Sequence, residues 1–207
     1  MEGGSAWACT LFADILGHYE KRNVDSLSHY DPDNLDRGLL RDLFAEHGGR
    51  EFTDRLDRLD TGLNFLSDRD DRPAVLDEFE QAGIRTADDV VDVFARQFHF
   101  GCEADDPTNA FAFDTRVNPH GTRLRAMFAS DIGHWDVPDF RGVLGEAWEL
   151  VEDDLLDLEQ FKDFTFSNVV SLFGATNPNV FDGTGRGHDH RAELATLLQQ
   201  EHAPKSS

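Results

Sequence analysis

The chain has 207 residues, 39% hydrophobic and 11% aromatic, which is enough apolar material for a core and excludes general disorder. Its 41 Asp and Glu against 19 Lys and Arg leave a net charge of -22, and Lys21, Lys162 and Lys205 are the only lysines. Acids run along the whole chain, from Asp31 through Asp54, Asp71 and Asp89 to Asp154, and this excludes nucleic-acid backbones and anionic membranes as natural partners.

A scattered acidic surface poor in lysine resists aggregation in concentrated electrolyte, where screening removes its self-repulsion. The expectation is a halophilic protein of the cytoplasm of a salt-accumulating cell. No apolar run approaches the length of a membrane span, and no signal peptide is visible. Cys9 and Cys102 stand alone, with no CxxC spacing, and read as buried small hydrophobes.

In chain order, Trp7, Leu11, Ile15, Leu16 and Tyr19 recur at helical spacing over Ala6 to Arg22, with Ser5 as N-cap and Lys21 and Arg22 in the last turn. A second helix is expected from Leu35 to His47, stopped by Gly48-Gly49. Asp54 to Asp71 is charge-rich and weakly periodic, which predicts a short helix and a loop. Pro73 opens a helix through Phe79 to Gly83, and Thr86-Ala-Asp-Asp89 resembles a capping box for the next one.

Gln97 to Glu103 then reads as a short strand, stopped by Ala104-Asp-Asp-Pro107. The apolar run Ala126 to Ala129 is a second, and the intervening Thr108 to Leu124 has the length of a crossover between neighbouring parallel strands. A helix to about Asp153 follows Val137-Pro138-Asp139. Asp157-Leu-Glu-Gln160 is a capping box for another, which ends at Gly174 and Asn177-Pro178. The organisation expected is one domain over residues 1–182 and a peripheral tail over 183–207, with a last helix near Glu193 to Gln200. Two parallel strands cannot form a self-sufficient sheet or barrel, so the chain reads as part of something larger.

The second strand opens directly into Ser130, Asp131, Gly133 and His134. An apolar strand whose carboxyl end carries an acid and a histidine is how α/β proteins place reacting groups. A lone Asp there is otherwise a cap or turn former.

Phe128-Ala-Ser-Asp-Ile-Gly-His-Trp-Asp-Val-Pro-Asp139 resembles the strand-eight motif of the amidohydrolase-related family of metal-dependent TIM-barrel hydrolases. Ala147-Trp-Glu-Leu-Val-Glu152, Phe161-Lys-Asp-Phe-Thr-Phe-Ser-Asn168 and Asn177-Pro-Asn-Val-Phe181 extend the resemblance, and Phe100 to Pro107 is similar to the end of strand seven. The resemblance implies an α/β fold, a partial (β/α)8 barrel with strands seven and eight and many helices. It makes Asp131 the aspartate that binds a divalent metal such as zinc, or takes a proton from the metal's water. It also implies a small-molecule substrate, hydrolysed or decarboxylated. Met1-Glu2-Gly3-Gly4 stands where the family often has His-Glu-Gly-Gly after strand six, and the histidines of earlier strands have no counterpart. The expectation is therefore a C-terminal half-barrel with an incomplete metal site and little activity alone. The alternatives are one half of a split enzyme or a non-catalytic helical interaction protein, with the missing N-terminal half or a homo-oligomer as partner.

His134 and Glu103 are the candidate substrate contacts. His188, Asp189 and His190 read as a solvated segment, and His99, alternating with Phe98 and Phe100, as structural.

Overall fold

The computed structural model describes residues 3–31, 34–66, 77–185 and 191–197. The first helix, α1, spans Ala6–Arg22, as its periodicity predicts, and buries Ala8, Cys9, Phe12 and Leu16. The next long helix, α2, begins at Arg37 rather than Leu35, because the Asp36 carboxylate accepts from Leu39 N–H at 2.9 Å and fixes the N-terminus there. It ends at His47, and a short helix, α3 (Gly49–Thr53), restarts the chain. The charge-rich stretch forms a 3₁₀ turn at Leu56–Arg58 and then α4 (Leu59–Leu66). Glu78–Gln81 forms α5, capped by Asp77. The expected opening of that helix at Pro73 lies outside the described residues. Ala87–Phe94 is α6.

The chain divides into two compact units, Met1–Leu16 with Asp88–Ser207, and Gly17–Ala87. In the larger unit, β1 (His99–Cys102) and β2 (Arg125–Phe128) pair in parallel, His99 opposite Arg125 and Cys102 opposite Phe128. The crossover contains α7 (Ala110–Phe113) between two 3₁₀ turns, the short helical connection expected of it. The finding is a mostly helical chain with one parallel strand pair among the described residues.

After β2 come α8 (Val143–Glu152) and α9 (Leu158–Lys162). The expected capping box is formed: Asp157 accepts from Gln160 N–H, and Gln160 accepts from Asp157 N–H. From α9 the chain widens into a π turn, Asp163–Ser167, before α10 (Asn168–Thr176). The π turn lays Phe164 under the sheet, edge-on to Phe128 at 6.1 Å and to Phe113 at 6.3 Å, and Phe164 is wholly buried. Phe12, Leu124 and Val170 are buried in the same unit, and Phe12 stacks on Phe94.

Residues 191–197 are helical, part of the stretch expected near Glu193 to Gln200; the remainder lies outside the described residues. Leu194 is buried, and Gly174 meets it so closely that an added Cβ would stand 3.1 Å from Leu194 Cδ1. Glu193 accepts from Ser167 Oγ and Lys162 Nζ.

Phe164 therefore joins strand, crossover and C-terminal helices. Phe164→Ala is expected to cost about 3–5 kcal/mol, the range for a truncated core Phe. Denaturant unfolding of the two proteins checks this; a loss under about 1 kcal/mol would mean that the site collapses around the cavity.

Candidate functional site

Beyond β2 the ladder continues one residue, with Ala129 N–H donating to the Cys102 carbonyl at 2.8 Å. The chain then leaves the sheet at Asp131, whose φ of +47° is a left-handed conformation that Asp tolerates better than most residues. The Asp131 carbonyl accepts from His134 N–H at 3.0 Å, closing a turn with Gly133 at its third position. Gly133 has φ +102°, which a side chain would oppose. The sequence thus determines the turn through an acid, a glycine and a histidine in fixed order.

The turn folds the side chains back on one another. His134 Nδ1 lies 3.2 Å from Asp131 Oδ2 and 2.5 Å from Asp136 Oδ1. Donor atoms of Asp131, His134 and Asp136 all fall within 4.8 Å, in the one such group of metal-binding side chains among the described residues. Asp131 is the most covered, its side chain 24% exposed, with His134 at 53% and Asp136 at 47%. The His134 hydrogen bond holds the Asp136 carboxyl below its ordinary range, against a smaller opposing effect of desolvation.

Asp131 and His134, expected from sequence, are brought together. Asp136 is the member that sequence reading did not single out. The signal was the turn itself, since an i, i+3, i+5 arrangement around a glycine returns the chain to the same point. Glu103, the other expected substrate contact, follows β1 at the same carboxyl end of the strand pair and is exposed. Its carbonyl accepts from Asn109 Nδ2 at 2.7 Å, which anchors its backbone while its carboxylate faces solvent. Asp105 and Asp106 beside it are turn residues, and Asp106 caps the 3₁₀ turn by accepting from Thr108.

His99 Nε2 is 2.8 Å from Ser171 Oγ, the structural role expected of it. His188, Asp189 and His190 lie outside the described residues. Cys9 and Cys102 are buried and free, and burial pushes the Cys102 thiol up to about 11. Neither is a ready thiolate for a metal. Comparisons with family models, curated proteins and solved structures give no match to this chain. Among the described residues no helix is long and apolar enough to cross a membrane.

The chemical content of the site is an imidazole nitrogen between two carboxylates, an arrangement that holds a proton or a cation. Since the folded Asp136 value is depressed, its pairing stabilises the turn above the ordinary Asp range, and that contribution is lost as pH falls through the depressed value. Carboxyl-carbon NMR titration is expected to give an Asp136 midpoint below that of ordinary aspartates, returning towards them in His134→Gln. An ordinary midpoint in both proteins would mean that the pair does not form in solution.

Proposed function

We propose that this chain belongs to the lineage of amidohydrolase-related, metal-dependent hydrolases. In this reading β1 and β2 stand as the last two strands of a partial (β/α)8 barrel, and Asp131 is the metal-facing aspartate. The observation that carries it is the convergence of His134 and Asp136 on Asp131, just beyond the carboxyl end of a parallel strand. That end is where parallel α/β architectures place reacting groups.

The donor set fits the group. One imidazole and two carboxylates suit zinc and similar divalent ions, and three protein ligands leave a position open to solvent, as the partial exposure of all three allows. Asp131, His134 and Asp136 would hold the ion, which would supply Lewis-acid chemistry and acidify a water there. Asp131 Oδ2 faces His134, so Oδ1 is the atom free to hold a proton during attack. The hydrogen bonds of His134 Nδ1 gather the two carboxylates at one point and would give way to the ion when the three residues bind it, and Glu103 supplies a polar contact from the neighbouring strand end. The substrate class is a small carbon-ring or amide-type molecule, hydrolysed or decarboxylated in the cytoplasm of a salt-accumulating cell. Three partly exposed donors hold an ion weakly, so turnover by the isolated chain is expected to be low.

A second reading, half of a split enzyme or a non-catalytic interaction protein, is favoured by apolar side chains near the same strand end. Trp135 is 85% exposed and Phe140 63%.

Zinc titration of the full chain in molar salt separates the two. The hydrolase lineage predicts one equivalent bound, weakened more than about tenfold in Asp131→Asn, since even outer-shell changes at metal sites cost ~10–100-fold. No binding by the purified chain, together with co-purification of a stoichiometric partner polypeptide, would favour the second reading.

A further inference from the structure

In the smaller unit the apolar side chains that the structure describes remain partly or fully exposed, and among the residues of 17–87 whose side chains are described Asp77 alone is buried. Instead the unit has a groove of about 350 Å³, walled by Phe44, Phe52, Leu56, Leu59 and Leu63. Phe44 and Phe52 meet at 5.2 Å across the α2–α3 junction, and Phe52 remains 53% exposed.

The charges at its rim are unusual for this chain. Arg37 and Arg41, on the same helix as Phe44, are occupied: both reach Asp60, and Arg41 also donates to the Leu56 carbonyl at 3.0 Å. Arg55 and Arg58 line the groove, and neither side chain has a hydrogen bond or ion pair among the described residues. In a chain with 41 acids to 19 bases, two guanidiniums in the lining of one apolar groove reverse the local charge balance. Glu51 is the single acid in the lining.

We propose that this groove binds a medium-chain fatty carboxylate, its aliphatic tail against the Phe and Leu wall and its carboxylate on Arg55 and Arg58. Guanidinium matches carboxylate by paired N–H donors, which gives the site a preference for that head group. The volume sits at the small end of the ~300–1,000 Å³ range of ligand pockets, and the walls are apolar with few polar groups, as such sites require. Nothing in this assignment depends on the Asp131 site or on the hydrolase reading.

Calorimetric titration of the full chain with decanoate, kept below its micelle concentration, tests the proposal. Expected are saturable binding at one site and weakening of about tenfold or more in the double variant Arg55→Gln/Arg58→Gln, the size of one charge-assisted hydrogen bond. Decyltrimethylammonium is expected not to compete. NMR methyl shifts should move at Leu56, Leu59 and Leu63 and not at Leu124 or Leu150, which keeps the test valid if the variant unfolds. Binding of 1-decanol as tight as that of decanoate would remove the arginines from the assignment and overturn it. So would absence of decanoate binding, or a chain that self-associates through these leucines and refuses the ligand.

Discussion

A parallel strand pair exposes an unpaired edge on each side, and the larger unit depends on how those edges are closed. Peptide groups alternate along a strand, so the Cys102 carbonyl, bonded to Ala129 N–H, faces β2, and the Gly101 carbonyl faces away. That outward carbonyl accepts from Gly4 N–H at 3.1 Å. On the far side of β2, Asn168 Nδ2 donates to the Ala126 carbonyl at 2.8 Å. One edge is thus met by the backbone ahead of α1, and the other by a side chain at the start of α10. The latter reaches its place because the π turn carries Phe164 beneath the sheet first. Unclosed, these groups would be unsatisfied or would recruit another strand.

Strand closure also explains why the candidate site lies where it does. β2 is held on one side by β1 and on the other by Asn168, so its carboxyl end has one direction in which to leave. Asp131 takes a left-handed backbone and Gly133 a φ of +102°, and the chain folds back within three residues. The rigid strand fixes Asp131, while the turn adds His134 and Asp136. A preorganised group of donors needs both parts, a fixed element and a turn too tight to open freely.

Much of this was legible in the residues because the signals were local. The Asp157–Gln160 capping box and the helical period of Ala6–Arg22 depend on neighbours a few positions apart, and the β1–crossover–β2 unit shows in the length of the segment between its two apolar runs. Asp36 moved the start of α2 by two residues because one carboxylate outcompeted the leucine pattern for the helix end. Long-range pairings carried no such mark. Nothing near Asn168 indicates that its amide serves Ala126, 42 residues earlier, and nothing near Leu194 indicates that it packs on Gly174. Asp136 was missed for a related reason: a turn can be recognised from Gly133, but which side chains it brings into contact depends on backbone angles that composition does not encode.

The two units respond differently to the charge they share. The larger one buries Phe12, Leu124, Leu150 and Phe164, so self-repulsion among its acids acts against a packed core. In the smaller one the apolar side chains that are described are partly or fully exposed, and its helices are held by contacts such as Asp60 with Arg37 and Arg41, Phe44 with Phe52, and Tyr19 with Phe79. Exposed ion pairs of that kind contribute little each and less in salt. Salt that screens repulsion between acids also weakens those pairs, while strongly excluded ions strengthen apolar contact. The aromatic and leucine contacts are therefore the part of the smaller unit that gains in concentrated electrolyte. The half-buried groove they line is where that gain concentrates, since apolar surface left in water has the most to recover when something covers it.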